Sequence, residues 1–144
     1  MGTVQDILTG KGGAVHSIGV ADLVLDAARL MNELGVGGLV VVDGALAVGM
    51  FTERDILRRV VAAQLDPRTT RVGDVMTAPI AVCRPDTAIV ECRAVMTERR
   101  IRHLPIVDGT QLRGMITIGD ILAHAIGEHE ATIEYLNSYV FGQR

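Results

Sequence analysis

Gly49-Met50-Phe51-Thr52-Glu53-Arg54-Asp55-Ile56-Leu57 returns 65 positions later as Gly114-Met115-Ile116-Thr117-Ile118-Gly119-Asp120-Ile121-Leu122. The same offset pairs Met31 with Met96, Glu33 with Glu98, Leu39 with Leu104, and Val42-Asp43-Gly44 with Val107-Asp108-Gly109. Between positions 31 and 57, 12 of 27 residues equal their counterparts, where shared composition alone gives roughly two or three. A repeat of this length means duplicated units packed on each other. Whatever site the unit carries is duplicated with it, so function is sought where the copies agree and at the seam between them.

Each unit opens alike, with Val4-Gln5-Asp6-Ile7-Leu8-Thr9 and Val72-Gly73-Asp74-Val75-Met76-Thr77, now offset by 68. The three extra residues of the first copy fall at Gly10-Lys11-Gly12-Gly13. Apolar stretches Ala14 to Ile18 and Ile80 to Cys83 read as first strands. Leu23, Val24, Ala27, Leu30, Met31 and Leu34 recur at helical spacing, as do Ile89, Val90, Ala94 and Val95. Two strands about an Asp-Gly turn follow: 39–42 and 46–51 around Asp43-Gly44, then 104–107 and 112–116 around Asp108-Gly109. A second helix starts near Thr52 and near Thr117. The pattern is β-α-β-β-α twice, an α/β (α+β) chain with repeats at 4–61 and 72–126. Residues 62–71 are the linker, interrupted by Pro67. Residues 127–144 form a tail with Ile133, Leu136 and Val140 at helical spacing.

Composition narrows the function. Hydrophobic content is 49% with two Phe, two Tyr and no Trp, so the core is aliphatic, with Met31, Met50, Met96 and Met115 expected inside it. The apolar runs are too short to span a bilayer and no secretory signal is visible, so a cytoplasmic protein is expected. Cys83 and Cys92 are expected as buried reduced thiols. A net charge of −3 gives no general attraction to nucleic acid or membranes. His16, His103, His124 and His129 lack metal-ligand spacing, and no set of acid, base and nucleophile stands out. The expectation is a binding protein, not an enzyme.

The repeated Thr-x-x-Asp has two compatible readings. Thr caps the open amides of a helix start, with Asp favouring its positive end. The same helix start suits phosphate, Thr can donate a hydroxyl, and Asp offers two oxygens to a ribose cis-diol. The residues inside the motif differ (Glu-Arg against Ile-Gly), which suggests that Thr and Asp are the constrained positions.

The Gly-hydrophobic-x-Thr-x-x-Asp signature, the element order and the tandem arrangement resemble a pair of cystathionine-β-synthase (CBS) domains, a Bateman module, over residues 4–126. The resemblance implies two units packed with pseudo-two-fold symmetry around two clefts that take AMP, ADP, ATP, S-adenosylmethionine or NAD(H). It puts the ribose carboxylates at Asp55 and Asp120 and the adjacent hydroxyls at Thr52 and Thr117. Adenine contacts map onto Val15 and Ser17 in one copy, and onto Thr77, Pro79, Ile80 and Val82 in the other. Arg54, inside the first motif, joins the candidates.

The copies differ where Arg99-Arg100-Ile101-Arg102-His103-Leu104-Pro105 faces Leu34-Gly35-Val36-Gly37-Gly38-Leu39-Val40. Arg99 and Arg100 read as a solvated helix end. Arg102 and His103, with Leu104 and Pro105 behind them, read as phosphate ligands of a cleft that remains open to assignment. Gly37 and Gly38 read as room for a ligand against the backbone. Gly10 to Gly13 is not a full phosphate loop, though Lys11 is expected to reach a phosphate in the first cleft. The resulting expectation is a stand-alone nucleotide sensor, a homodimer acting on a regulated protein partner. The alternative is an interaction module whose clefts are degenerate.

Overall fold

The structure is a computed structural model describing residues 2–12 and 15–127. The tail stripe at Ile133, Leu136 and Val140 lies outside the described residues, as do Gly13 and Ala14. In the first half, β1 (Ser17–Gly19) lies parallel to β2 (Gly38–Asp43), which pairs antiparallel with β3 (Leu46–Thr52). Helix α2 (Val24–Leu34) packs on this sheet through Val24, Ala27 and Met31. In the second half, β4 (His103–Asp108) and β5 (Gln111–Thr117) form the hairpin, and α5 (Ile89–Arg99) packs on it through Ile89, Cys92 and Met96. Both hairpins close through loops whose first residue is glycine, Gly44 at φ +62° and Gly109 at φ +64°. The tight loops are Gly44-Ala45 and Gly109-Thr110, one residue beyond the expected Asp-Gly, because Asp43 and Asp108 still pair across the strands.

The expected strand at Ile80 to Cys83 is reduced to one bridge, Cys83 to Ile106. Pro79 and Pro85 bracket the segment and offer no N–H. Its start is also held elsewhere: Thr77 exchanges backbone hydrogen bonds with Met50 of β3, at 2.8 and 3.0 Å. The chain therefore crosses from the edge of the first sheet to the edge of the second.

The repeats seen in sequence are not the units that pack. Helix α1 (Val4–Lys11) buries Val4, Ile7 and Leu8 in the core of the second half, beside Leu104, Ile106, Ile116 and Ile121. Helix α4 (Val72–Val75) buries Val72 and Val75 in the core of the first half, beside Leu39, Phe51 and Val60. Each half thus lends its opening helix to the other. Burial of about 1.5–3 kcal/mol per large aliphatic side chain holds the exchange. The exchange explains the motif's glycines: a Cβ on Gly49 would lie 2.6 Å from Met76 Sδ, and one on Gly114 would lie 2.5 Å from Leu8 Cδ2. Leu8 and Met76 are themselves repeat counterparts, so the same lock is built twice.

Helix α3 (Glu53–Asp55) follows β3 and continues as a π-helical stretch, Ile56–Val61. Helix α6 (Ile118–Gly127) follows β5. Met31, Met50 and Met96 are buried, while Met115 is half-buried. Cys83 and Cys92 are free thiols buried in the second core.

Candidate functional site

The first Thr-x-x-Asp is a capping box. Asp55 N–H donates to Thr52 Oγ1 (3.3 Å), and Thr52 N–H donates to Asp55 Oδ2 (3.0 Å). The Thr52 hydroxyl also lies 3.2 Å from Oδ2, so it is engaged with its own motif and not held out for a phosphate. Asp55 Oδ1 accepts from the Thr77 hydroxyl at 2.8 Å, and Arg59 Nε stands 3.8 Å away. Arg59 is fixed in turn by Met76 O at 2.6 Å. Asp55 is only 5% exposed, yet it forms part of a cavity wall.

That cavity measures about 690 Å³, within the range of small-ligand sites. Thr52, Asp55, Met50 and the π-helical stretch form one side; Thr77, Pro79, Ile80 and Ala81 form a second; Arg99 to His103 close it. The first copy's motif therefore meets the second copy's opening segment, as the exchanged helices require. Arg102 and His103 belong to the Asp55 cleft, which answers the question of assignment left by the sequence.

The second motif has the same caps, with Thr117 N–H to Asp120 Oδ2 at 2.8 Å and Asp120 N–H to Thr117 Oγ1 at 3.1 Å. Its carboxylate is met by Lys11. The ammonium lies 2.7 Å from Asp120 Oδ2 and 3.0 Å from Met115 O. Met115 and Asp120 are the counterparts of Met50 and Asp55, which receive the Thr77 amide and hydroxyl. One lysine thus stands in for two Thr77 donors. The cause is local: Thr77 is extended beyond the short α4, whereas its counterpart Thr9 stays helical and donates to Gln5 O. Burial pushes the Asp120 pKa up, but the hydrogen bonds from Lys11 and Thr117 outweigh it and hold the group below its ordinary value.

Several expectations change. Lys11 reaches the second motif instead of a phosphate in the first cleft. Gly38 makes room for a side chain, because its missing Cβ would lie 3.3 Å from the His103 ring and 3.2 Å from Thr52 Cγ2. Gly37 lines the cavity, but the space beside it holds Glu53, whose Oε1 would be 2.5 Å from a Cβ there. Leu104 is a core residue and Pro105 is buried in β4; neither lines the cavity. Val15, Ser17, Thr117 and Asp120 also lie outside its lining. Arg54 does line it. Burial lowers the pKa of His103, and Arg102 and Lys11 add to that against the pull of Glu53 and Asp120.

Sequence reasoning missed Arg58 and Arg59 and discounted Arg99 and Arg100, all of which line the cavity. A signal was present: Arg58-Arg59 has Ala123-His124 as its counterpart, an asymmetry of the same kind as at Arg99 to His103. Among the described residues no cluster of His, Cys, Asp and Glu is arranged to hold a metal, and no described helix is long and apolar enough to cross a membrane.

Two halves with exchanged opening helices, and a cavity lined by residues of both, define a tandem-repeat module. Residues 13–62 and 72–127 match the CBS domain model, and the chain belongs to the CBS domain family. It is 34% identical over 150 residues to CBSX3, a mitochondrial CBS domain-containing protein of Arabidopsis thaliana, covering 97% of this chain and 72% of that one. A CBS-domain protein from Burkholderia ambifaria MC40-6 has a similar structure, with TM-score 0.85 and 42% identity over 88% of this chain and 96% of that one. CBSX2, solved in complex with AMP, superposes with TM-score 0.74 and 30% identity over 89% of this chain and 98% of that one. Such modules are regulatory and non-catalytic in general, and nucleotide-binding examples stand among the structural neighbours.

Proposed function

We propose that the Asp55 cavity binds an adenosine-containing ligand, drawn from AMP, ADP, ATP, NAD(H) and S-adenosylmethionine, and that the chain signals its occupancy to a partner protein. The observation that carries this reading is a carboxylate, itself nearly buried, set in the wall of a 690 Å³ cavity built from both repeats. Asp55 Oδ1 receives one short hydrogen bond, from Thr77, and an ionised carboxylate oxygen has room for a second. A ribose hydroxyl fits there. Pro79, Ile80 and Ala81 offer an apolar wall to the base, and Arg102 with His103 faces the phosphate end. The AMP complex of CBSX2 supports the ligand class. The second motif, with Lys11 on Asp120, is read as the degenerate member of the pair.

Leu57 and Val61 are each 62% exposed and Leu122 is 60% exposed. Apolar surface on both second helices supports a homodimer. Titration of the purified chain with the five ligands by calorimetry tests the proposal. Binding of at least one, weakened at least tenfold by Asp55→Asn, is expected. No binding of any, or binding indifferent to Asp55→Asn, favours the interaction module with degenerate clefts.

A further inference from the structure

The charge around the cavity is lopsided, and a helix-end role accounts only for Arg99 and Arg100. Arg54, Arg58, Arg99, Arg100 and Arg102 line it, and their guanidinium groups make no hydrogen bond or ion pair among the described residues. Arg59 is already committed to Asp55 and Met76. Against these stand two lining carboxylates, Glu53 and Asp55, in a chain whose net charge is −3. Like charges gathered around one hollow repel one another, and a solvated surface has no reason to collect them there.

The duplication supplies an internal control. The five positions have Gly119, Ala123, Leu34, Gly35 and Gly37 as counterparts. One ancestral unit therefore carries the arginines only where they converge on the Asp55 cleft: from the second-helix side in the first repeat and from the α5 side in the second. Arg100 holds a left-handed backbone at φ +56°, where its counterpart is Gly35 at φ +67°. A non-glycine residue at that angle is uncommon, and here it brings a cation to the cavity rim.

Resting on the nucleotide reading of this cavity, we propose that its ligand is a nucleoside polyphosphate, a di- or triphosphate, with the phosphate chain laid among these five arginines. A monophosphate brings about two negative charges and occupies one or two guanidinium groups, leaving the others unneutralised. Bidentate arginine–phosphate pairs are the strong, geometrically specific contacts that a longer phosphate chain multiplies. S-adenosylmethionine, with its sulfonium cation and no phosphate, meets the wrong field. The specificity-determining residues are Arg58 and Arg102, one from each repeat.

The test is equilibrium titration of the full chain, without divalent cations, with ATP, ADP, AMP, adenosine and S-adenosylmethionine at low and high salt. ATP and ADP are expected at least tenfold tighter than AMP at low salt, with the gap shrinking at high salt as phosphate contacts are screened. S-adenosylmethionine is expected to bind weakest. Arg58→Gln with Arg102→Gln, both exposed and without intramolecular partners, reduces the ATP-to-AMP affinity ratio at least fivefold. AMP binding as tightly as ATP, or a ratio unmoved by the double substitution, overturns the polyphosphate assignment, even while Asp55→Asn still weakens binding and upholds the cavity as a nucleotide site. Absence of binding by all five compounds removes the polyphosphate assignment, and the nucleotide reading falls with it when NAD(H) also fails to bind.

Discussion

Replacing Lys11 by Met keeps an unbranched, helix-compatible stem and removes the ammonium from Asp120. The pair is close, 2.7 Å, but only partly shielded, with side-chain exposures of 36% and 22%. Fully exposed pairs contribute about 0–1 kcal/mol and shielded charged hydrogen bonds about 1.5–3. With the second bond to Met115 O, a loss of about 1.5 kcal/mol is expected. For a chain of this size that lowers Tm by roughly 3–6 °C. Because the folded Asp120 pKa is depressed, its contribution is present above the unfolded value of about 3.9. It is lost as pH falls through the folded value, so the wild-type and variant melting curves converge in acid. The binding readout is sharper. A ligand engaging Asp120 would have to displace Lys11, and about 1.5 kcal/mol is roughly tenfold in affinity. Calorimetry is expected to give one nucleotide per wild-type chain, with a weaker second site emerging about tenfold tighter in Lys11→Met. Two equal sites in the wild type, or a variant with unchanged Tm at neutral pH, would refute the reasoning.

Gly49→Ala is expected to cost about 2–3 kcal/mol and Gly114→Ala about 1 kcal/mol less in urea denaturation. The Gly49 Cβ meets the Thr77 carbonyl at 2.9 Å as well as Met76, whereas the Gly114 Cβ meets the movable end of Leu8. Asp55→Ala leaves the Thr52 amide and the Thr77 hydroxyl without their acceptor and lowers stability by about 2 kcal/mol; Asp55→Asn, which keeps an acceptor, loses less while still losing ligand. His103 has a folded pKa lowered by burial, so the unfolded chain takes up its proton first. Stability is then intact above about pH 6.5 and falls as pH drops toward the folded value, and His103→Gln flattens that slope in thermal melts. The neighbouring Cys92 and burial push the Cys83 thiol up, and both sulfurs are buried; thiol reagents are expected to label neither in the native state and both in concentrated guanidinium.

Much of this molecule is legible because duplication makes the sequence its own alignment. The helix stripes, the hairpins and the Thr-Asp caps depend on local spacing, and two copies filter out accident. What stays hidden is non-local. Nothing in Val4 to Lys11 or Val72 to Val75 says which core each helix enters, since both cores are aliphatic and accept either. The loss of the strand at Ile80 to Cys83 follows from Thr77 being bound to β3, a contact between segments far apart in the chain. Lys11 misled for the same reason: its repeat offset places it near the first copy, while the exchange carries α1 to the second. The arginines at 58 and 59 were visible as a break in the repeat, and comparing the copies for charge as well as identity finds them.

The exchange also bears on how occupancy of one cleft is felt elsewhere. Thr77, bonded to Asp55, hangs from α4 and the first core; six residues later Cys83 is paired to β4 in the second. A ligand between Asp55 and Arg102 therefore pulls on both cores through one short segment, and on the strand starts where the His103 ring stands beside Gly38. His103 also lies in the field of Lys11 and Asp120, so the seam is linked electrostatically to the second motif. Such a ligand moves the two halves only by its differential affinity for their arrangements, with a tenfold difference giving about 1.4 kcal/mol. That is comparable to the strength of the Lys11–Asp120 contact. A ligand that discriminates tenfold between the arrangements thus matches in energy the release of Lys11 from Asp120, which is the size of effect that coupling the two motifs would need.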